Sequence, residues 1–263
     1  MDAIGQALPP SLRAFLERWN GAVLFRGALR IRSATDLAPA ARHAPRVVVF
    51  ADGPGGLDHW AFAPDGQGGT VFGRWTPSEG ERPGAFQPLH ERFERWLTAT
   101  IRILDEDIRS PDSRLATRLE ADPDCGHLLL LAADKVLASG DPDGALGLLR
   151  KATAADPGLV GAWARLGDVL RGDDDQAARF AYLRALRATR LPAPWPGEAV
   201  PGADLIRALR RRFPAGDDGW ERELTWFLDQ AVDGAASPRE ADMVEAAVVA
   251  LASVRLARGE RRA

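Results

Sequence analysis

The chain has 263 residues, enough for one large domain or two ordinary ones, and its 46% hydrophobic and 27% charged residues are an ordinary globular mixture. A formal net charge of -3 and a pI of about 5.9 give no global attraction for nucleic acid or an anionic membrane, so neither is expected as a partner. Cys125 is the only cysteine, which excludes an intramolecular disulfide and removes the usual ligands of a structural zinc site.

The first predicted element is a helix: Leu12, Phe15, Leu16 and Trp19 fall on one face, Pro9 and Pro10 stand at its start, and Asn20-Gly21 supplies its left-handed end. A β region follows. Leu29 and Ile31 alternate with arginines as in a half-buried strand, and Val47 to Phe50 is a short β-branched run suited to a buried one. Leu57 to Phe62 and Thr70 to Trp75 predict two more strands, with Asp65-Gly66 in the turn between them. After the proline- and glycine-rich stretch from Pro77 to Pro88, a second helix is expected to carry Leu89, Phe93, Trp96, Leu97, Ile101 and Leu104 on one face. The acidic, polar break from Asp105 to Ser113 places a domain boundary, giving domains at 1–107 and 108–263.

From Ser113 onward the pattern is helical, and it repeats. Asp122-Pro123 recurs as Asp156-Pro157, a period of 34 residues, and Leu191-Pro192 follows. Ala145, Leu149 and Ala152 in one unit correspond to Ala178 and Tyr182 in the next, which also has Trp163, Leu166 and Gly167. Small residues at such places let two helices of a hairpin approach closely, and a proline ends the second. These residues resemble the tetratricopeptide repeat over 126–159 and, with a shorter loop, over 160–192. Three further helical segments are expected near 204–213, 220–232 and 239–258, as degenerate repeats or as capping helices.

The stretch Arg46 to Phe62, RVVVFADGPGGLDHWAF, invites a chemical reading. A phosphate loop needs G-x-x-x-x-G-K-[ST] and a following helix, but Gly53, Gly55 and Gly56 lead into Leu57, Asp58 and His59 with no lysine, and a strand is expected next. Asp58 and His59 are adjacent, so on a strand they face opposite ways and make a poor metal pair. His90-Glu-x-x-Glu94 lacks the second histidine of a zincin, and is expected as the solvated flank of the second helix. Cys125 and His127, two apart on a helix, do not face each other. Asp173 to Asp175 is read as a polar turn favouring the next helix N-terminus. No catalytic residue, metal site or cofactor is therefore expected.

As a set, Leu8-Pro9, Trp19-Asn20-Gly21, Asp52-Gly53, Gly55-Gly56-Leu57-Asp58 and the helix from Phe93 to Leu97 resemble the SUKH superfamily over residues 4–104. Ala22, where a second glycine is often found, and Pro54 depart from its pattern. The resemblance implies an α+β domain, with a bent antiparallel sheet and flanking helices, ahead of the all-α helical-repeat domain. It also implies binding of proteins without catalysis, as in bacterial immunity proteins that neutralise a toxin domain. The helical repeats suit equally a scaffold or adaptor in a cytosolic complex. Asp52, Asp58, Trp60 and Trp75 are the residues expected to meet a protein partner. No signal peptide is read after Met1, and the apolar run from Ala246 to Val254 is too short to span a bilayer, so a cytoplasmic location is expected.

Overall fold

The computed structural model describes residues 7–42, 44–53, 59–65, 69–77, 84–171 and 173–188, together with 221–222, 224–225, 247 and 251. The expected helices near 204–213, 220–232 and 239–258 lie almost wholly outside these residues, as do Pro192, Trp195, Trp220 and Trp226. The chain falls into two compact units, one running to Leu159 and the next starting at Val160. An antiparallel seven-stranded sheet near the N-terminus is followed by helices.

Helix α1 (Pro10–Trp19) opens on a proline, whose missing N–H is no loss at that position. It closes at Asn20, whose φ of 45° is left-handed and whose N–H bonds to the carbonyl of Leu16. Leu12 and Leu16 are buried, while Trp19, at the end of the expected stripe, is 57% exposed.

The strands are β1 (Ala22–Leu24), β2 (Leu29–Ile31), β3 (Ala38–Ala41), β4 (Ala44–Asp52), β5 (His59–Pro64), β6 (Thr70–Thr76) and β7 (Ala85–His90). Their order is β1-β2-β4-β5-β6-β7, with β3 also paired to β4. Three of them, β1, β3 and β7, are not legible in the apolar pattern. Strand β7 corrects the sequence reading most: it holds Leu89 and His90, which were expected on or beside the second helix, and α2 (Phe93–Asp105) begins only after it. Pro88 interrupts the alternation that would have marked the strand.

The two faces of the sheet are distinct. One carries Leu29, Ile31, Val48, Phe50, Ala51, Phe62 and Phe72 against Leu12 and Leu16 of α1 and Phe93 and Trp96 of α2. Phe50 meets Trp96 edge-on at 4.6 Å between ring centroids, a favourable aromatic geometry. The other face buries Val47, Val49, Ala61, Ala63, Val71, Trp75 and Phe86. Between Val49 and Ala51 the register of β4 against β5 shifts by one residue. The bulge lets the consecutive Phe50 and Ala51 share the helix-covered face.

Helices α3 (Pro111–Ala121), α4 (Gly126–Ala138) and α5 (Pro142–Ala155) belong to the same unit as the sheet. Cys125 and Leu128 pack on Leu89 of β7. Asp141 caps α5 by accepting from the Gly144 N–H at 2.8 Å. In the second unit, α6 (Val160–Leu170) and α7 (Asp175–Ala188) form a hairpin, and the Asp174 carboxylate accepts from the Ala177 N–H at 2.9 Å, the role read for this acidic turn. Among the described residues no helix is long and apolar enough to cross a membrane.

Candidate functional site

The polar residue read in the glycine loop, Asp52, is engaged on the sheet face opposite α1 and α2. It lies in a continuous cross-strand row. Val23 pairs with Arg30, Arg30 with Asp52, Asp52 with His59, His59 with Trp75, and Trp75 with Phe86. Cross-strand partners share a face, so the row runs from an exposed edge to a buried apolar end. The Asp52 carboxylate accepts from Arg32 Nε at 3.0 Å and Nη2 at 2.8 Å, a two-pronged contact, and from His59 Nδ1 at 2.9 Å. Partial burial pushes the Asp52 carboxyl up, but the hydrogen bonds from Arg32 and His59 outweigh it and hold the group below its ordinary 3.8. Both carboxylate oxygens are occupied.

The other expected contact residues scatter. Trp75 is 2% exposed, packed in the apolar cluster with Val47, Val71 and Phe86, and is corrected from a surface anchor to a core residue. Trp60 faces the opposite side, half-buried, with its ring centroid 5.7 Å from that of Trp96. Asp58 lies outside the described residues.

A second cluster escaped the sequence reading. His90, expected as a solvated flank, is fully buried at the end of β7. Its Nε2 accepts from Arg118 Nη1 of α3 at 3.1 Å, and its Nδ1 donates to Asp122 at 3.2 Å. An arginine can only donate, so this pairing fixes one neutral tautomer. Burial lowers the His90 pKa, partly opposed by the Asp122 hydrogen bond, and the nearby Arg118 charge lowers it too. Arg118 is 7% exposed, its guanidinium 5.1 Å from the Trp60 ring centroid. Burial brings its pKa down to about 10, which leaves it charged at neutral pH. No single-sequence signal marks His90 as interior; its place depends on a strand the pattern concealed.

Cys125 lies beside this cluster. Its thiol donates to the Leu89 carbonyl at 3.2 Å, and burial drives its pKa to about 12, the reverse of an activated nucleophile. His127 is also interior, and burial lowers its pKa to about 4. Among the described residues no three His, Cys, Asp or Glu side chains gather as a metal site would require.

The residues read as a repeat signature are well packed. Ala145, Leu149 and Ala152 are buried in α5, and Pro157 follows the end of that helix. In the second unit Leu166, Ala178 and Tyr182 are buried, and Gly167 lies where an added Cβ would meet Tyr182 Cε1 at 2.5 Å. The Tyr182 hydroxyl donates to Asp168 at 2.7 Å, and Trp163 meets Phe180 edge-on at 6.1 Å.

Three large apolar side chains within one short segment remain on the surface: Trp19, Val23 at 67% and Phe25 at 38% exposure. Comparison with models of known families finds no match, and comparison with curated proteins finds none either.

Proposed function

We propose that the chain is a non-catalytic protein-binding module, a SUKH-like domain joined to tetratricopeptide-like repeats, and that it acts in the manner of an immunity protein by holding a toxin domain. One observation carries the binding half of this reading: Trp19, Val23 and Phe25 are all exposed within the short segment where α1 leads into the edge strand β1. Clustered exposed aromatic and aliphatic side chains are the ordinary mark of a protein contact. The reactive groups fit the same reading, since Asp52, His90 and Cys125 are each bound into internal pairings that hold the fold.

A second reading, a scaffold or adaptor whose helical hairpins make the contact, is favoured by Phe180, 53% exposed on α7 beside half-buried Trp163. Affinity capture with the full chain separates the two. Under the first reading, Trp19→Ser with Val23→Ser abolishes capture of the partner and Phe180→Ser leaves it unchanged. The opposite pattern establishes the scaffold reading. A captured partner that is the toxic domain of a secreted protein, inhibited on addition of the chain, supports the immunity role.

A further inference from the structure

We propose that the sheet end around Trp19, Val23 and Phe25 docks an acidic segment of a partner protein that also carries apolar side chains. The proposal rests on the protein-binding reading and adds to it a site and the charge of the partner.

The geometry is that of an unfinished edge. Strand β1 ends the strand order and has a neighbour, β2, on one side only. The turn joining β1 to β2 passes through Phe25, Arg26 and Gly27 at φ of 53°, 55° and 94°. Left-handed backbone is natural for Gly27 but strained at a residue with a side chain, and a phenylalanine there is rare. Phe25 does not recover this by burial, because its ring remains partly in water. The turn thus holds an aromatic ring outward at a cost to the fold.

Three arginines stand around this patch. Arg18 lies with its guanidinium 4.8 Å from the Trp19 ring centroid, Arg26 follows Phe25 in the turn, and Arg30 is the cross-strand partner of Val23. All three are exposed, and none forms an ion pair with a described residue. Some arginines elsewhere are held in ion pairs: Arg32 by Asp52, Arg102 by Glu106 and Glu120, and Arg109 by Asp107. Between Arg13 and Arg30 the only acidic side chain is Glu17, against four arginines, in a chain whose net charge is -3. A local field opposed to that of the whole molecule selects an acidic partner. The interleaved apolar side chains select a protein over a phosphate polymer, whose affinity would come from a broad basic surface.

The test uses the full chain and a phage-displayed library of random linear peptides. The library is selected in parallel on the parent and on a triple variant, Arg18→Glu, Arg26→Glu and Arg30→Glu. Peptides enriched on the parent are expected to be rich in Asp and Glu with Leu, Phe or Trp, and to bind the variant about tenfold or more weakly. Phe25→Gly is the control for folding: it melts at the same or a higher temperature than the parent yet loses the peptide. Neutral or basic enriched peptides, or equal binding to the triple variant or to Phe25→Gly, overturn the site while leaving the protein-binding reading standing. Absence of any enriched peptide counts against both. A single-stranded oligonucleotide, or a phosphatidylcholine–phosphatidylserine vesicle, that binds the parent and not the triple variant also overturns it.

Discussion

Arg118 donates a hydrogen bond to the Nε2 of His90 across 3.1 Å, so the histidine is locked neutral beside a charged guanidinium. Both His90 and His127 have pKa values lowered by burial, the latter to about 4, against an ordinary value of 6.5. Above 6.5 the folded and unfolded chains hold the same neutral imidazoles. Below it the unfolded chain takes up protons that the folded chain refuses, so stability falls as pH falls from 6.5 towards 4. Glu91, raised by desolvation and by the charges of Asp122 and Asp156, acts in the opposite sense above its ordinary 4.5. Urea midpoints taken across this range are expected to decline with falling pH, and a flat profile would refute the network.

Cys125 is buried, and its thiol stays protonated at any physiological pH. The native chain is expected to resist iodoacetamide at neutral pH and to be alkylated stoichiometrically once urea unfolds it. Rapid native modification, read by intact mass, would contradict the packing against Leu89.

The Thr100 hydroxyl in α2 is buried without a hydrogen-bond partner, one turn from the equally unpartnered indole nitrogen of Trp96. Thr100→Val replaces that hydroxyl by a methyl group of similar shape. It is expected to raise stability by about 1 kcal/mol, seen as a higher melting temperature.

Gly167 allows α6 to approach the Tyr182 ring of α7, and Gly167→Ala forces the ring aside. A loss of about 1–3 kcal/mol is expected, although alanine is the better helix former. Circular dichroism melts would show a lower transition, whereas a gain would mean that the close approach does not govern this hairpin.

Asp52→Asn keeps an acceptor for one neighbour and removes the charge that holds Arg32. Because the pair is partly exposed, with side-chain accessibilities of 23% and 18%, the expected cost is only about 1 kcal/mol. Chemical denaturation measures it, and added salt should shrink it.

Where the cause of a local structure lies within a few residues, the sequence pattern and the structure agree. The closing Asn20, the capping Asp174 and the alternation of Leu29 and Ile31 each act within a few residues, so a window of sequence contains their cause. His90 and β7 were missed because their cause is distant. Pro88 breaks the local strand pattern, and only pairing with β6 and covering by α3 and α4 make that segment extended and dry. Trp75 was misjudged for a related reason: a tryptophan on a strand reads alike whether its face is covered or open, and here the face is covered. The carboxylate of Asp52 was legible as polar, but its partners Arg32 and His59 come from two other strands.

The extra residue in β4 decides which face of the sheet the end of that strand presents. Because Phe50 and Ala51 lie on one side, the bulge reverses the parity of everything after it, and this reversal is what turns Asp52 towards Arg32 and His59. An unbulged strand of the same length would aim the carboxylate at the aromatic interior, whereas loss of one residue together with the bulge would leave it facing outward. Homologues of this chain that end the strand in an acidic residue should therefore carry either the bulge or a strand one residue shorter, and not the full length in regular alternation.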